Sequence, residues 1–495
     1  MMNDKIFDIA VIGGGVNGVG IARDAIGRGL SVVLLEKNDF ASATSSASSK
    51  LIHGGLRYLE YYEFGLVRAA LKEREILMAM APHIIWPLEF ILPHSKDMRP
   101  AWLIRLGLFL YDNLGGRKKL PKSKSIKLNA GNLKPTYHKG FSYADCWVDD
   151  SRLVILNAID AQERGAYLYN YTPCKAITCK DGIWHVEAGG VHEGYNFRAR
   201  KVVNAAGPWV RDLLDSNQLS TNETHNVRLV KGSHIIVERL FEGDESYILQ
   251  QPDGRVVFIN SYEDDYSVIG TTDIEYQGDP LAAEIDQGEI DYLCQAANLY
   301  LTDPISPKDV ISSYSGVRPL LDSGEENASA VTRDYVFDYS EQFGAPLLSI
   351  FGGKITTYRI LAEKAMAYLS DEPIWTKSSQ LPGASSPKGD VSAFISQFEV
   401  KFPEVDKKSR RRIANRWSRQ YGSRAEEIIS QKSLGQYFGH DLYQAEVDYL
   451  IESEFVHNAE DVLWRRTKLG LKFDAAEAAS LEAYIEVARQ KERAA

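Results

Sequence analysis

Apolar positions over the first forty residues change period twice. Phe7 to Ile12 is an unbroken apolar run of strand length. Val16 to Arg28 carries apolar residues at helical spacing, and Val32 to Leu35 is a second apolar run. The pattern predicts strand, helix and strand, and apolar strands of this kind belong to a parallel sheet covered on both faces. Between the first strand and the helix stand Gly13, Gly15 and Gly18 at the spacing G-x-G-x-x-G; Gly29 stands where a helix C-terminal glycine belongs, and Glu36 closes the second strand. That order is a dinucleotide-binding βαβ unit. Gly13 allows the tight turn, Gly15 lets a pyrophosphate approach the backbone, and Gly18 lets the helix pack close to the strand. The helix N-terminus then offers free N–H groups and a partial positive charge to phosphate. Glu36 is placed to accept hydrogen bonds from ribose hydroxyls.

The periodicity continues in alternating blocks. Ser42 to Ser49 are almost all serine, threonine or alanine and lead into the apolar positions Leu51, Leu56 and Leu59. One reading is a flexible linker. The other is a hydroxyl-rich loop that hydrogen-bonds a cofactor lying extended across the sheet, and its length suits a flavin dinucleotide better than a nicotinamide one. His53, Gly54, Gly55 and Arg57 follow. They are either a partly buried structural histidine with its neighbours, or a close backbone approach to a ring or ligand. Tyr61 to Met80 predicts a helix, Pro82, Pro87 and Pro93 predict loops or edge strands, and Ala101 to Leu114 predicts a short helix apolar almost all round. Phe141 to Asp150 predicts a strand and turn, with Ser151 capping the next helix. A hairpin is expected about Lys180-Asp181-Gly182. Lys201 to Asn204 reads as a strand, followed by the turn Ala205-Ala206-Gly207 and Pro208 at a first helical position. That turn could lie against a dinucleotide or be a plain joint.

From Arg228 to Asp273 the period becomes two, which predicts an antiparallel sheet separate from the first unit and ending in Gly270-Thr271-Thr272-Asp273. A helix is expected over Glu284 to Leu301, then Arg318 in SGVRPL and Arg333 in TRDY. Leu347 to Met366 returns strand, Gly352-Gly353 turn and helix, with Lys354 at the helix start. Past the Pro/Gly/Ser-rich stretch 381–390 the pattern is helical and charged, with basic runs at Lys407 to Arg412, expected as a solvated face, and Trp464 to Lys468.

Composition narrows the class. The 495 residues predict two or three domains, and 44% hydrophobic with 25% charged residues is soluble globular protein. A net charge of −10 disfavours nucleic-acid binding. Against it, Asn113 to Ala144 holds no acidic residue and eight basic ones, among them Lys118, Lys119, Lys122 and Lys124. Trp102, Leu103 and Leu106 just upstream, with that basic run, suit an interfacial helix on anionic lipid; the alternative is a core helix followed by a solvated loop. Cys146, Cys174, Cys179 and Cys294 form no CxxC and no zinc spacing, so reduced thiols and no metal are expected. No signal peptide is expected, since no apolar h-region precedes the strand at Phe7, and no apolar run reaches the roughly 18 residues of a spanning helix.

The strings GGGVNGVGIARDAIGRG, TSSASSKLIHGGLRYLE, NAAGPW, SGVRPL and FGGKITTYR keep one order along nearly the whole chain. They resemble the flavin-dependent glycerol-3-phosphate dehydrogenases, above all the bacterial aerobic, respiratory enzymes; WRRTK matches more loosely. The resemblance implies an α/β FAD domain of the glutathione-reductase type, similar to the D-amino-acid oxidase group, with an antiparallel β-rich substrate domain and a C-terminal helical cap. Residues 1–70, 140–227 and 345–380 would form the FAD domain, 71–139 and 228–344 the substrate and membrane-contact domain, and 388–495 the cap. FAD would be held by Gly13, Gly15, Asn17, Gly18, Glu36, Thr44, Ser45, Ser46, Ser48, Lys50, Leu51, Ala206, Gly207, Gly353 and Thr356. Arg57, Tyr58, Thr271, Arg318, Arg333 and Lys354 would hold substrate, since a dianionic phosphate needs cations and arginine offers a bidentate fork. His53 is the expected base, with Lys354 stabilising the reduced ring.

The activity implied is oxidation of sn-glycerol 3-phosphate to dihydroxyacetone phosphate, with hydride passing from C2 to flavin N5 and electrons to ubiquinone. The protein would be a monotopic homodimer on the cytoplasmic face of the inner membrane, touching lipid through Trp102, Leu103, Leu106, Lys118 and Lys119. The alternatives are an oxygen-reducing oxidase of the same fold and a non-catalytic FAD-binding membrane scaffold.

Overall fold

The computed structural model describes residues 5–116, 119–128, 131–189, 194–322, 335–384 and 391–494. The predicted parallel strands form the centre of one sheet. Its strands run, from one edge, Tyr335–Ser340, Leu347–Gly352, Gly194–Asn204, Ile6–Ile12, Val32–Leu35 and Tyr167–Tyr169. The last five are mutually parallel. The hairpin Cys174–Lys180/Ile183–Gly189 extends the sheet from Gly194–Asn204. Asp181 and Gly182 at its tip take φ of 52° and 76°, as a two-residue primed turn requires. Register aligns Ile12 with both Leu35 and Asn204, and Asn204 with Ser349, so the carboxyl ends of four strands share one edge. In open α/β sheets that edge is where ligands bind.

Helix α1 (Val16–Gly27) follows the glycine turn as predicted. It can lie close to the sheet only because Gly18 has no side chain: a Cβ there would stand 1.9 Å from the Gly13 carbonyl oxygen. Gly13 itself has φ of +112°, and a Cβ on it would stand 2.4 Å from the Ala205 oxygen.

The second sheet is larger than the alternating region alone. Its order is Ile274–Glu275, Val227–Glu238, Tyr266–Gly270, Val256–Tyr262, Ser246–Gln250, Ile85–His94, Lys139–Val148 and Leu51–Ile52; Ser312–Leu321 pairs with Val227–Glu238, and Lys124–Lys127 with Lys139–Val148. All pairs are antiparallel except Ser246–Gln250 with Ile85–His94. The proline-rich stretch is a full strand here, paired along one side and on the other only at Phe90 and Ile91, which spares Pro87 and Pro93 a second ladder. Helices α2 (Phe64–Met80) and α3 (Ala101–Leu114) cover it, with Val67, Leu71, Leu108 and Tyr111 packed among Phe90, Phe141 and Tyr143.

The helix Asp150–Glu163 is capped by Asp149 and not by Ser151. The Asp149 carboxylate accepts the Arg152 N–H at 3.2 Å and the Ser151 hydroxyl at 3.0 Å. A carboxylate is the better acceptor at the positive end of a helix.

The C-terminal helices, from Val391–Lys401 to Ala475–Ala494, enclose their own core around Phe398, Trp417, Leu450 and Leu481. Within the Lys407–Arg412 run only part of the charge is solvated, because Arg410 donates to the Val405 carbonyl and Arg412 to Asp441. All four cysteines are free thiols. The seam to the first sheet is ionic and dry. Asp39, fully buried, accepts from Arg465 Nε at 2.5 Å and from both terminal nitrogens of Arg466 at 2.6 and 2.9 Å. Arg152 and Glu454 form a second buried fork, one arm at 2.8 Å. The WRRTK run is therefore a docking element. Arg466→Ala should cost about 3 kcal/mol or more, the scale for breaking one partner of a buried ion pair. It should show as a lowered melting temperature and faster proteolysis within the C-terminal helices; parent-like values for both would refute this role.

Candidate active site

A cavity of about 520 Å³ opens where the carboxyl ends of the parallel strands face the second sheet. Gly13, Gly15 and Asn17 form one wall, and Gly15, the residue before α1, has no side chain to cap the helix, so its first turn borders the cavity. Glu36 also lines it. Its carboxylate accepts the Gly14 N–H at 2.6 Å and the Asn38 N–H at 2.8 Å. Burial nevertheless pushes this carboxyl above its usual range, outweighing those two bonds. Gly18 lies behind the wall and serves packing, as the Cβ geometry requires.

The hydroxyl-rich loop is ordered, not a flexible linker. Ser45 Oγ accepts the Val16 N–H at 3.0 Å, and Thr44 donates to the Val317 carbonyl at 2.6 Å, tying the loop to α1 and to the second sheet. Ser48 lines the cavity and donates to Asp150 at 2.7 Å. Ser46 and Lys50 are not among the residues that line the cavity. The Lys50 ammonium is buried between the two Asp150 oxygens at 2.8 and 2.9 Å and the Ser46 carbonyl at 2.7 Å. Although burial acts to raise the Asp150 carboxyl, the Lys50 and Lys468 charges hold it below the usual range. The Lys50 side chain thus supports the loop from one layer behind it. Leu51, Ala206, Gly207 and Gly353 line the wall, and Asn17 Nδ2 donates to the Gly352 carbonyl at 3.2 Å.

His53, Lys354, Thr271 and Arg318 meet on the same cavity. Lys354 Nζ donates to the His53 carbonyl at 3.3 Å and lies 5.1 Å above the Tyr58 ring; Thr356 Oγ1, buried, is 3.5 Å from that carbonyl. Gly55, at φ +77°, leaves room for the Tyr58 ring, which would stand 2.3 Å from a Cβ there. Arg57 and Tyr58 sit on the turn Leu56–Tyr61, beyond the lining residues. The Arg318 guanidinium pairs with Asp273 and donates to Thr271 Oγ1 and the Thr272 carbonyl, both at 3.2 Å. Gly232 makes room for it, since a Cβ there would stand 2.1 Å from Nη2. Arg333 lies outside the described residues.

Two features of the wall escaped the sequence reading. His234 is buried on the cavity, stacked on Tyr314 at 4.6 Å, with Nε2 2.9 Å from Ser49 Oγ. Burial, then the Lys50 and Arg318 charges, lower its pKa to about 3, so the ring is neutral at physiological pH. At the Glu36 end, Lys37 Nζ lies 3.4 Å over the Trp209 ring. A histidine inside an alternating strand and a lysine beside a carboxylate carry no spacing signal that would have marked them. No group of three or more metal-ligating side chains occurs among the described residues.

A glycine-walled cavity at the ends of parallel strands, with a ribose-type carboxylate at one end and cations at the other, defines a dinucleotide-dependent oxidoreductase. The chain belongs to the FAD-dependent glycerol-3-phosphate dehydrogenase family. Residues 8–359 match the FAD dependent oxidoreductase family, and residues 374–492 match the C-terminal domain of alpha-glycerophosphate oxidase. The chain is 50% identical to the D-erythritol 1-phosphate dehydrogenase of Brucella abortus, over 97% of this chain and 98% of that one. It is 47% identical to the aerobic glycerol-3-phosphate dehydrogenase of Escherichia coli, over 94% and 95%. A glycerol-3-phosphate dehydrogenase from Bacillus halodurans, solved with FAD, superposes with a TM-score of 0.73 at 26% identity, covering 98% of this chain and 95% of that one. The glycine cradle, the open helix N-terminus and Glu36 fit FAD. Replacing Glu36 by Ala should weaken FAD retention by about 1–3 kcal/mol, the scale of charge-assisted hydrogen bonds. Full flavin absorbance after dilution and dialysis of the variant would exclude Glu36 as the ribose ligand.

Proposed function

We propose that the protein oxidises sn-glycerol 3-phosphate to dihydroxyacetone phosphate and delivers the electrons to a membrane quinone. The observation that carries this reading is the convergence of His53, Lys354, Thr271 and Arg318 on the cavity that the glycine turn also lines. Bound FAD supplies the hydride acceptor. Arg318, preorganised by Asp273 and Thr271, offers its fork to the phosphate. His53 takes the hydroxyl proton of the secondary alcohol. Lys354 places a cation beside the loop that carries His53 and favours negative charge developing there. A second reading is favoured by the 50% identity to a D-erythritol 1-phosphate dehydrogenase: a four-carbon polyol phosphate with the same terminal phosphate would use the same groups.

Arg318→Ala should raise KM strongly with a smaller fall in kcat, because a phosphate contact acts in ground and transition state alike. His53→Ala should instead lower kcat by roughly 10²–10⁴-fold, the usual scale for a general base. Both are read as the anaerobic rate of flavin bleaching against concentration of either polyol phosphate, with FAD content checked first. An unchanged KM in the first variant moves the phosphate elsewhere; parent-rate bleaching in the second makes His53 structural. Reoxidation by a soluble quinone, and not by oxygen, supports the dehydrogenase over an oxidase.

Membrane delivery is supported by α3. Trp102 is 69% exposed and Phe109 59%, with Leu103 and Leu106 also bare, and Lys119, Lys122 and Lys124 are exposed nearby. Lys118 lies outside the described residues. No described helix is long and apolar enough to cross a bilayer, so contact would be interfacial. Changing Trp102 and Leu106 to Ser, or Lys119, Lys122 and Lys124 to Glu, should reduce binding to anionic vesicles, at about 1 kcal/mol per cation and less in salt. Activity with a soluble dye should survive. Unchanged sedimentation with vesicles at low salt would count against this surface.

A further inference from the structure

The face of α3 opposite its bare side chains carries Tyr111, 3% exposed, whose hydroxyl reaches the loop that holds His53. The Gly54 N–H donates to the Tyr111 oxygen at 2.8 Å, and the Tyr111 O–H donates to Asp145 Oδ2 at 2.6 Å. Arg74 Nη1 in turn holds Asp145 Oδ1 at 2.5 Å and the Ala144 carbonyl at 2.9 Å. Tyr111, Asp145 and Arg74 are all buried. Burial keeps the Tyr111 hydroxyl protonated, far above its ordinary range, so it both donates and accepts. Space enforces the same link. A Cβ on Gly54 would stand 2.6 Å from the Tyr111 oxygen and 2.5 Å from Leu71, so the peptide is pressed onto this helix pair. The His53 carbonyl on the other side of that peptide accepts from Lys354.

We infer that Tyr111 is a positioning residue for the reaction: its hydroxyl, braced by Asp145 and Arg74, fixes the Gly54 peptide and with it the adjoining His53. The inference rests on the reading of His53 as the group that meets the reacting alcohol. One observation and one general expectation carry it. The polar chain runs unbroken from Gly54 to Arg74 and is excluded from solvent, so among the described residues the Gly54 N–H has only Asp145 Oδ1, at 3.4 Å, as another acceptor once the hydroxyl is gone. Moreover, displacements near 1 Å at a catalytic group can cost about 10²-fold in rate. The apolar helix thus joins surface and active-site loop through one hydroxyl.

Tyr111→Phe keeps the ring, which packs edge-on to Tyr143 at 5.5 Å, and removes only the link. Leu108→Ala is the comparison: Leu108 is buried on the same helix and in the same cluster, so its loss loosens α3 without touching Gly54. With FAD content equal, Tyr111→Phe should bleach its flavin about tenfold more slowly at saturating polyol phosphate, with KM changed less than about threefold. Amide exchange at Gly54 should quicken at least tenfold. Leu108→Ala should lower the melting temperature yet keep its rate within about twofold. A parent-like rate or unchanged Gly54 exchange in Tyr111→Phe overturns the inference, as does an equal rate loss in Leu108→Ala. If the parent flavin bleaches with neither polyol phosphate, the substrate reading fails, and Gly54 exchange alone decides the strut.

Discussion

The close approach of α1 to the first strand is the constraint on which the rest depends. With 1.9 Å between a notional Gly18 Cβ and the Gly13 oxygen, and 2.4 Å between a notional Gly13 Cβ and the Ala205 oxygen, three chain segments are in backbone contact. That contact leaves the helix N-terminus open at the edge shared by four strand ends, and everything that lines the cavity is placed relative to it. The second sheet, which contributes Thr271 and Arg318 to the cavity, is bonded directly by Thr44 in the loop that follows Glu36.

What the cavity wall lacks is as informative as what it holds. Along the glycine and serine stretch it is largely small and neutral, with Glu36 and Lys37 at one end, and further charges sit one layer back. Lys50 with Asp150 braces the serine loop, Arg74 with Asp145 braces the His53 loop, and Arg465 and Arg466 with Asp39 brace the loop after Glu36. Buried pairs of this kind bring little net stability, because desolvation offsets their attraction. Their effect is geometric: each fixes a loop against the elements it packs on.

This layering explains what could be read from the chain alone. The βαβ unit, α2, α3 and the Leu347–Met366 return were legible because their signals are local in period and spacing. Glu36 and Arg318 were legible as residue types in short motifs. Their partners were not, since Asp273 lies 45 residues from Arg318 and Asp150 lies 100 from Lys50. Lys50 was read toward the cofactor from the resemblance alone, and its pairing with Asp150 was out of view. Ser151 was read as a cap because serine and aspartate are equal candidates until the backbone is seen. WRRTK was visible as a basic cluster, but a cluster says nothing of its target.

Asp39 and Arg465 are separated by 426 residues of chain. At about 5–20 residues per second, a growing polypeptide would carry Asp39 without either arginine for roughly 20–90 s. Over that interval the turn after Glu36 has its carboxylate but no cation to bury it with, and so favours solvent. The dinucleotide unit is among the first parts made and among the last completed. A chain that ended before the WRRTK run would leave Asp39, three residues past Glu36, without the two arginines that bury it.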